Sequence, residues 1–562
     1  MAEINFNEED PDRNILDSSQ IRDYFDEATV LITGSTGFLG KLILEKLLRS
    51  FTNMRRIYLI VRPKRGQSIR QRMEALLEDQ LFNRVRLATP NFAEKLCYIR
   101  GECARNDLGL NANDKKLLTQ EVTSVFHCAA LMDFEEKLRQ ASYVNVRATK
   151  DLIRLAKSMK NLKSFIHVSS VFAHSCKDSV NEEFYKSSIN CQQLLTIVDA
   201  FDDGTLNKLT PIIMGHSKNT FCFTKSVSED VVKTEGVGLP IAILRPSFII
   251  ATSQEPIPGW IENLYGPTGL LVAVNLGLAR STLANPKYTI DVVPADYVVN
   301  LAIAASWNIA NLQALNENQE LVTRRRSIEA EIPIYNAPDF IQFLRALNEN
   351  QELVTRRRSI EAEIPIYNAV SSPENPINWE KYISLSRKYS SRMPSTLLVS
   401  HSSNKINSNR YLHYLYVILL HYIPAIFIDL VMFCLGKPPL LLRTYRKIDE
   451  FTETFKHFTL TQWYFKNTNT QALWKKLNAT DRQLFEFDMS CLNWQSYYYV
   501  YMRGIRIYVL KDPLETVITG AAKYFKLKIM HYICGDVTGT TTQDKAPIQC
   551  RNSSGYNCEY CK

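Results

Sequence analysis

Gly34, Gly37 and Gly40 recur at every third residue in the stretch Thr33-Gly34-Ser35-Thr36-Gly37-Phe38-Leu39-Gly40. An apolar run, ATVLIT, leads into them, and an amphipathic stretch, KLILEKLLRS, follows. Glycines at a strand-to-helix turn permit the tight turn, close approach of the backbone to a pyrophosphate, and close helix–strand packing. The helix start adds free N–H groups and the positive end of its dipole. A dinucleotide site is expected at Thr33–Gly40. At the end of the next apolar run, RIYLIV, stand Arg62, Lys64 and Arg65. A carboxylate there would bind a ribose 2′-hydroxyl. Cations suit a 2′-phosphate instead, so NADPH is expected over NADH. A solvated basic loop is the alternative.

A second group of residues points to carbonyl reduction. Such sites need a hydroxyl on the carbonyl oxygen, a tyrosine that exchanges its proton, and a lysine four residues later. The lysine holds the ribose and lowers the tyrosine pKa. The run FIHVSS ends in Ser169 and Ser170, which supply the hydroxyl. At Phe221-Cys-Phe-Thr-Lys225 the lysine is present and the tyrosine is not. Phenylalanine has no proton to give, and general acid catalysis contributes about 10²–10⁴-fold.

These residues must be positioned by strands and helices that alternate. Apolar runs at 29–33, 56–61, 95–100, 124–128, 164–169 and 241–245 are separated by helical stretches. Right-handed crossovers between them give a parallel sheet. The expected fold is α/β, a Rossmann-type doubly wound sheet. The 562 residues are 45% apolar and 22% charged, a globular composition. Twelve cysteines are too dilute for a disulfide scaffold, and no apolar signal stretch follows Met1, so an intracellular setting is expected. The net charge of +9 comes with no helix-turn-helix or zinc-finger spacing, so nucleic acid is not an expected partner. Residues 1–29 carry a net of −7 and residues 437–530 a net of +7. The basic half suits an anionic lipid surface or a phosphorylated substrate.

Residues 314–337 and 346–369 are identical, at an offset of 32. Two perfect copies do not make a solenoid. They point to a recent internal duplication or to an error in assembling the sequence. One copy is expected to complete the fold, and the second, which runs into VSSPENPINW, is the better candidate.

Tyr411–Leu435 is largely apolar and long enough to cross a bilayer. His413, His421, Pro424 and Asp429 interrupt it, and a carboxylate at the bilayer centre is expensive. A span, an interfacial insertion and a buried core helix all remain open. Trp494, Tyr497, Tyr498, Tyr499 and Tyr501 read as the core of a helical domain. Cys534, Cys550, Cys558 and Cys561 lie in a polar tail whose single C-x-x-C pair is weak for zinc. No metal site is expected.

Taken in order, the motifs resemble the alcohol-forming fatty acyl-CoA reductases of the insect type. The matching segments include TGSTGFLG, HCAA (His127–Ala130), NVRAT (Asn145–Thr149), HVSS (His167–Ser170), FTKSVSED (Phe223–Asp230), LRPSFI (Leu244–Ile249) and DVVPADYVVN (Asp291–Asn300). YNAVSSPENP and GKPPLLLRTYRKI continue the match toward about residue 531. The resemblance implies reduction of a long-chain acyl-CoA to a primary alcohol by two NADPH, through an aldehyde. It implies cofactor contacts at Ala129, Ala130, Asn145, Lys225 and Pro246 besides the glycine loop and Arg62. It implies catalytic roles for Ser170 and Lys225 and places Phe221 where the family has its tyrosine. Membrane association at the endoplasmic reticulum or peroxisome is implied as well. The implied organisation is an acidic tail (1–28), a reductase domain (29–311), the duplicated insert (312–369), the end of the reductase domain with a linker (370–405), a mainly helical C-terminal domain (406–531) and a cysteine-containing tail (532–562). A non-catalytic protein that binds NADPH and acyl-CoA is the rival reading, and Phe221 divides the two.

Overall fold

Seven parallel strands form the central sheet of the computed structural model, which describes residues 19–63, 66–330 and 364–538. They are β1 (Thr29–Thr33), β2 (Arg56–Val61), β3 (Leu96–Arg100), β4 (Ser124–His127), β5 (Ser164–Val168), β6 (Ile241–Pro246) and β7 (Ile366–Ala369). Their order is β7-β6-β5-β4-β1-β2-β3. The strand order reverses between β1 and β4, where Thr33 stands opposite His127. In open α/β sheets that crevice, beyond the carboxyl ends of the strands, receives ligands.

Helices cover both faces, so the strands read as continuous apolar runs. Val30, Ile32, Leu59, Phe126 and Ile166 pack into one layer. Leu31, Tyr58, Ile60, Val125 and Phe165 pack into the other. The helices that matter to the site are α1 (Phe38–Ser50), α2 (Ile69–Leu77), α3 (Thr220–Glu235) and α4 (Ala295–Ala330). Helix α1 starts at Phe38, three residues before the expected amphipathic stretch, so Phe38, Leu39 and Gly40 form its first turn.

The edge strand β7 comes from the second copy of the duplicated segment and pairs with β6, Ile366 opposite Ile243 and Ala369 opposite Pro246. The first copy begins inside α4, and its own IYNA, at 334–337, lies outside the described residues. Residues 19–28 are not plain acidic tail. Ser19 caps a helix at Gln20–Phe25, Ile21 and Phe25 are buried, and the Ser19 hydroxyl donates to Asp481 at 2.6 Å.

The C-terminal part is built mainly of helices, among them α5 (Ile423–Cys434) and α6 (Leu441–Thr459). It is stitched to the sheet. Tyr464–Phe465 pairs in parallel with Ser179–Val180. The Glu182 carboxylate accepts from the Asn368 N–H and the Thr470 hydroxyl at 2.9 and 3.0 Å. Trp494, Tyr497, Tyr498 and Tyr501 are core residues, while Tyr499 faces solvent. Among the described residues, two helical stretches are long and apolar enough to cross a membrane: Ala295–Leu315, which is mostly buried, and Arg410–Cys434, which is mostly exposed. The second is therefore not a buried core helix.

Candidate active site

The glycine loop joins β1 to α1 at the switch point. Gly34 has φ +73°, and a Cβ there would lie 2.7 Å from the Ala129 nitrogen. At Gly40 a Cβ would lie 2.2 Å from the Gly34 carbonyl oxygen. Neither position admits a side chain. Gly37 caps α1 with no side-chain bond, which leaves the first-turn amides facing the crevice. Ser35 is fully buried, and its hydroxyl has no partner among the described residues. A buried unpaired hydroxyl is costly, and inside such a cradle it fits a phosphate oxygen. Phe38 stacks on Trp260 at 5.3 Å, and Leu39 packs against the core.

A cation that the sequence reading passed over completes this end of the site. Arg72, in the first turns of α2, donates to the Arg62 carbonyl oxygen at 2.7 Å and to the Thr36 hydroxyl at 2.9 Å. Burial and the neighbouring Arg62 lower its pKa. Arg62 itself is half exposed and pairs loosely with Glu102 at 3.5 Å. Lys64 and Arg65 lie outside the described residues. A sequence signal for Arg72 did exist. The Ser68–Gln71 capping box marks the start of α2, and a cation near a helix N-terminus opposes the dipole.

Beyond β4 a relay of hydrogen bonds fixes the crevice wall. The Thr149 hydroxyl donates to the Asn145 carbonyl and so accepts from His127 Nε2 at 3.0 Å. His127 Nδ1 then accepts from the Thr33 hydroxyl at 2.7 Å, and Thr33 accepts from the Ala129 N–H. Burial, helped by Lys225, pushes His127 down to about 3, which suits this neutral tautomer. Asn145 sits in a widened helical turn. It pairs with the Leu131 backbone through both its amide atoms and donates to Thr224 at 2.9 Å. Its side chain holds the 129–131 segment, with Ala129 and Ala130, against α3.

The catalytic candidates converge at the carboxyl ends of β5 and β6. Ser170 caps a short turn by accepting from the Phe172 N–H at 3.2 Å, and it donates to the Pro246 carbonyl at 3.3 Å. Lys225 is buried and donates from Nζ to the Val168 carbonyl oxygen at 2.7 Å. Burial pulls it down to about 8, against the opposing pull of Cys128 and Glu229. Phe221 stands one turn earlier on the same face of α3. Its ring lies 6.0 Å from Phe134, which stacks on Phe458 of α6 at 5.5 Å. Phe172 and Phe248 also pack on Phe458, so an aromatic wall shared by both parts of the chain borders the site.

Glu229, one turn beyond Lys225, is a further residue that sequence reasoning missed. Its carboxylate accepts from Ser169 at 2.5 Å, from Arg245 Nε and Nη2 at 2.9 and 2.7 Å, and from His174 at 2.7 Å. Burial would raise its pKa, but the Arg245 guanidinium and His174 outweigh it and hold the carboxyl far below the usual range. The network pins Ser169, and with it the neighbouring Ser170, to α3. No group of three or more His, Cys, Asp or Glu residues arranged to hold a metal occurs among the described residues.

The sheet order and the glycine cradle are those of an extended short-chain reductase fold with a nicotinamide-nucleotide site. The male sterility protein family matches in two blocks, residues 32–302 and 420–512. The chain is 32% identical to "Fatty acyl-CoA reductase wat" of Drosophila melanogaster over 92% of this chain and 91% of that one. It is 32% identical to "Fatty acyl-CoA reductase 1" of Homo sapiens over 91% and 90%. The chain belongs to the fatty acyl-CoA reductase family. Among solved structures, the reductase domain of a nonribosomal peptide synthetase from Mycobacterium tuberculosis shares the fold. It has a TM-score of 0.50 and 14% identity over 89% of this chain and 98% of that one.

Proposed function

We propose that the chain reduces long-chain acyl-CoA to a primary alcohol, through the aldehyde, at an intracellular membrane of the endoplasmic reticulum or peroxisome. The observation that carries this reading is the buried Lys225, bonded to the Val168 carbonyl two residues before Ser170, in a chain of this family. The amides of Gly34–Gly40 and the Ser35 hydroxyl would hold the diphosphate. Arg62 and Arg72 would hold a 2′-phosphate, which favours NADPH. When bound, the dinucleotide supplies hydride, once for each of the two reductions.

The protein's own part is to orient the carbonyl and to deliver protons. Ser170 Oγ accepts from the Phe172 amide, and its proton, given at 3.3 Å to the Pro246 carbonyl, would turn to the substrate carbonyl oxygen. Lys225, at about 8, is mainly protonated at neutral pH. One turn along α3 from position 221, it would supply the proton there, directly or through water. The lost tyrosine is expected to cost about 10²–10⁴-fold in turnover.

Phe221 favours a second reading, in which the chain binds NADPH and acyl-CoA without turning them over. Purified protein incubated with stearoyl-CoA and NADPH separates the two. Slow formation of fatty alcohol supports the reductase. No alcohol from the native chain, with recovery in Phe221→Tyr, supports the binding protein. No alcohol and no NADPH binding in either overturns both.

A further inference from the structure

Residues 410–434 form one continuous helix whose middle, Ile418–Tyr422, is a widened π turn. The residues it buries fall every fourth position: His413, Val417, His421, Ala425 and Asp429. In a 3.6-residue helix such a stripe drifts around the axis, and the extra residue of the π turn takes back more than half of that drift. Each polar side chain on this stripe makes an inward bond. His413 pairs with Ser281 at 2.8 Å. His421 accepts from the Arg280 N–H at 2.9 Å and stacks on Tyr445.

Asp429, the residue that argued against insertion in the sequence, is 5% exposed and does not point outward. Its carboxylate accepts from the Leu440, Leu441 and Leu442 amides at 3.1, 3.1 and 2.9 Å. It is the cap of α6. The outward face is apolar instead, with Phe427 65%, Leu430 57%, Phe433 70% and Leu435 66% exposed.

The two helices run antiparallel. Asp429 meets residues 440–442, Tyr422 bonds Asp449, and Tyr414 bonds Glu453. The far end of α6 is rooted in the catalytic body, where Phe455 and Phe458 pack on Phe248. The helix is rooted at His421 too. From there to Cys434 it rises about 20 Å, at about 1.5 Å per residue. A bilayer core is about 30 Å thick. A single crossing would also carry α6 away from the wall it builds. Lys437, Arg443, Arg446 and Lys447 are exposed on the tip and the returning helix.

Resting on the membrane reading above, we infer that α5, the 435–440 tip and the start of α6 are a re-entrant hairpin. It dips into one leaflet of an anionic bilayer and leaves the folded body on one side. Uncapped backbone is not tolerated in lipid, and Asp429 meets that requirement for the returning helix. The four cations meet the headgroups.

The test uses the full-length chain with a C-terminal epitope. Flotation with phosphatidylcholine vesicles, with and without phosphatidylserine, is expected to show binding that rises with the anionic lipid. Phe427→Asp with Phe433→Asp is expected to reduce the bound fraction more than about tenfold at an unchanged melting temperature, because both side chains are exposed. In sealed microsomes, external protease is expected to remove the epitope and leave no protected C-terminal fragment. A protected fragment, or unimpaired flotation of the double variant, overturns the hairpin while the membrane reading stands. No flotation of the native chain with either vesicle overturns the membrane reading itself.

Discussion

The Lys225 ammonium donates to the Val168 carbonyl oxygen at 2.7 Å, which holds it at the end of β5, two residues before Ser170. That bond places the lysine whether or not a tyrosine stands at 221. The lysine is therefore held without help from a hydroxyl at 221. Phe221→Tyr is expected to raise kcat for acyl-CoA reduction by about 10²–10⁴-fold with little change in KM. Alcohol formation in saturating NADPH measures it. An unchanged kcat would show that position 221 is not where protonation occurs.

Lys225 also sets a pH dependence whose sign is fixed by the direction of its shift. Burial lowers it from 10.5 to about 8. If it delivers the proton, turnover in the native chain falls as pH rises through about 8. Stability moves the other way. Between about 8 and 10.5 the unfolded chain holds a proton that the folded chain has lost. The lysine's penalty is full below about 8 and fades as pH rises to 10.5. Lys225→Met is expected to flatten this part of the stability curve, read as Tm against pH, and to abolish the pH-dependent fall in rate.

Much of the site was legible because its signals are local. The six strands expected from apolar runs occur within one residue of their expected ends, since strands buried on both faces are written as unbroken apolar runs. The glycine loop was legible because two of its positions exclude any side chain. The strand β7 was not among the expected strands, but the second copy of the duplicated segment, the one expected to complete the fold, supplies it. Glu229 was hidden for another reason. Its partners Ser169, His174 and Arg245 come from separate elements, and only the fold brings them to one carboxylate. Asp429 misled for the same reason, because its capping bonds reach residues 440–442 across a turn.

Arg72 touches both the Arg62 carbonyl and the Thr36 hydroxyl, which puts it between the glycine loop and the end of β2. Arg72→Ala is expected to weaken NADPH at least about tenfold while leaving NADH nearly unchanged. A charge-assisted bond to a phosphate is worth roughly 1.5–3 kcal/mol, and NADH has no 2′-phosphate to lose. Cofactor titration by fluorescence checks this. Equal weakening of both dinucleotides would assign Arg72 to holding the loop and not to choosing the cofactor.

Glu229 carries the remaining expectation. It sits among Arg245, His174 and Ser169, all buried. Glu229→Gln keeps the shape but leaves the Arg245 guanidinium without its counter-charge in a dry site. Breaking one side of a buried ion pair typically costs about 3–5 kcal/mol. For Glu229→Gln, where an amide oxygen still accepts, the lower end is expected, read as a fall in denaturation midpoint. Arg245→Met with Glu229→Leu removes both charges and is expected to recover part of that loss. The same pair separates stability from positioning. If the carboxylate serves to hold Ser169 and Ser170, the double variant regains part of its melting temperature, but a Phe221→Tyr background carrying it stays slow. Recovery of both stability and rate would show that the network only fills space.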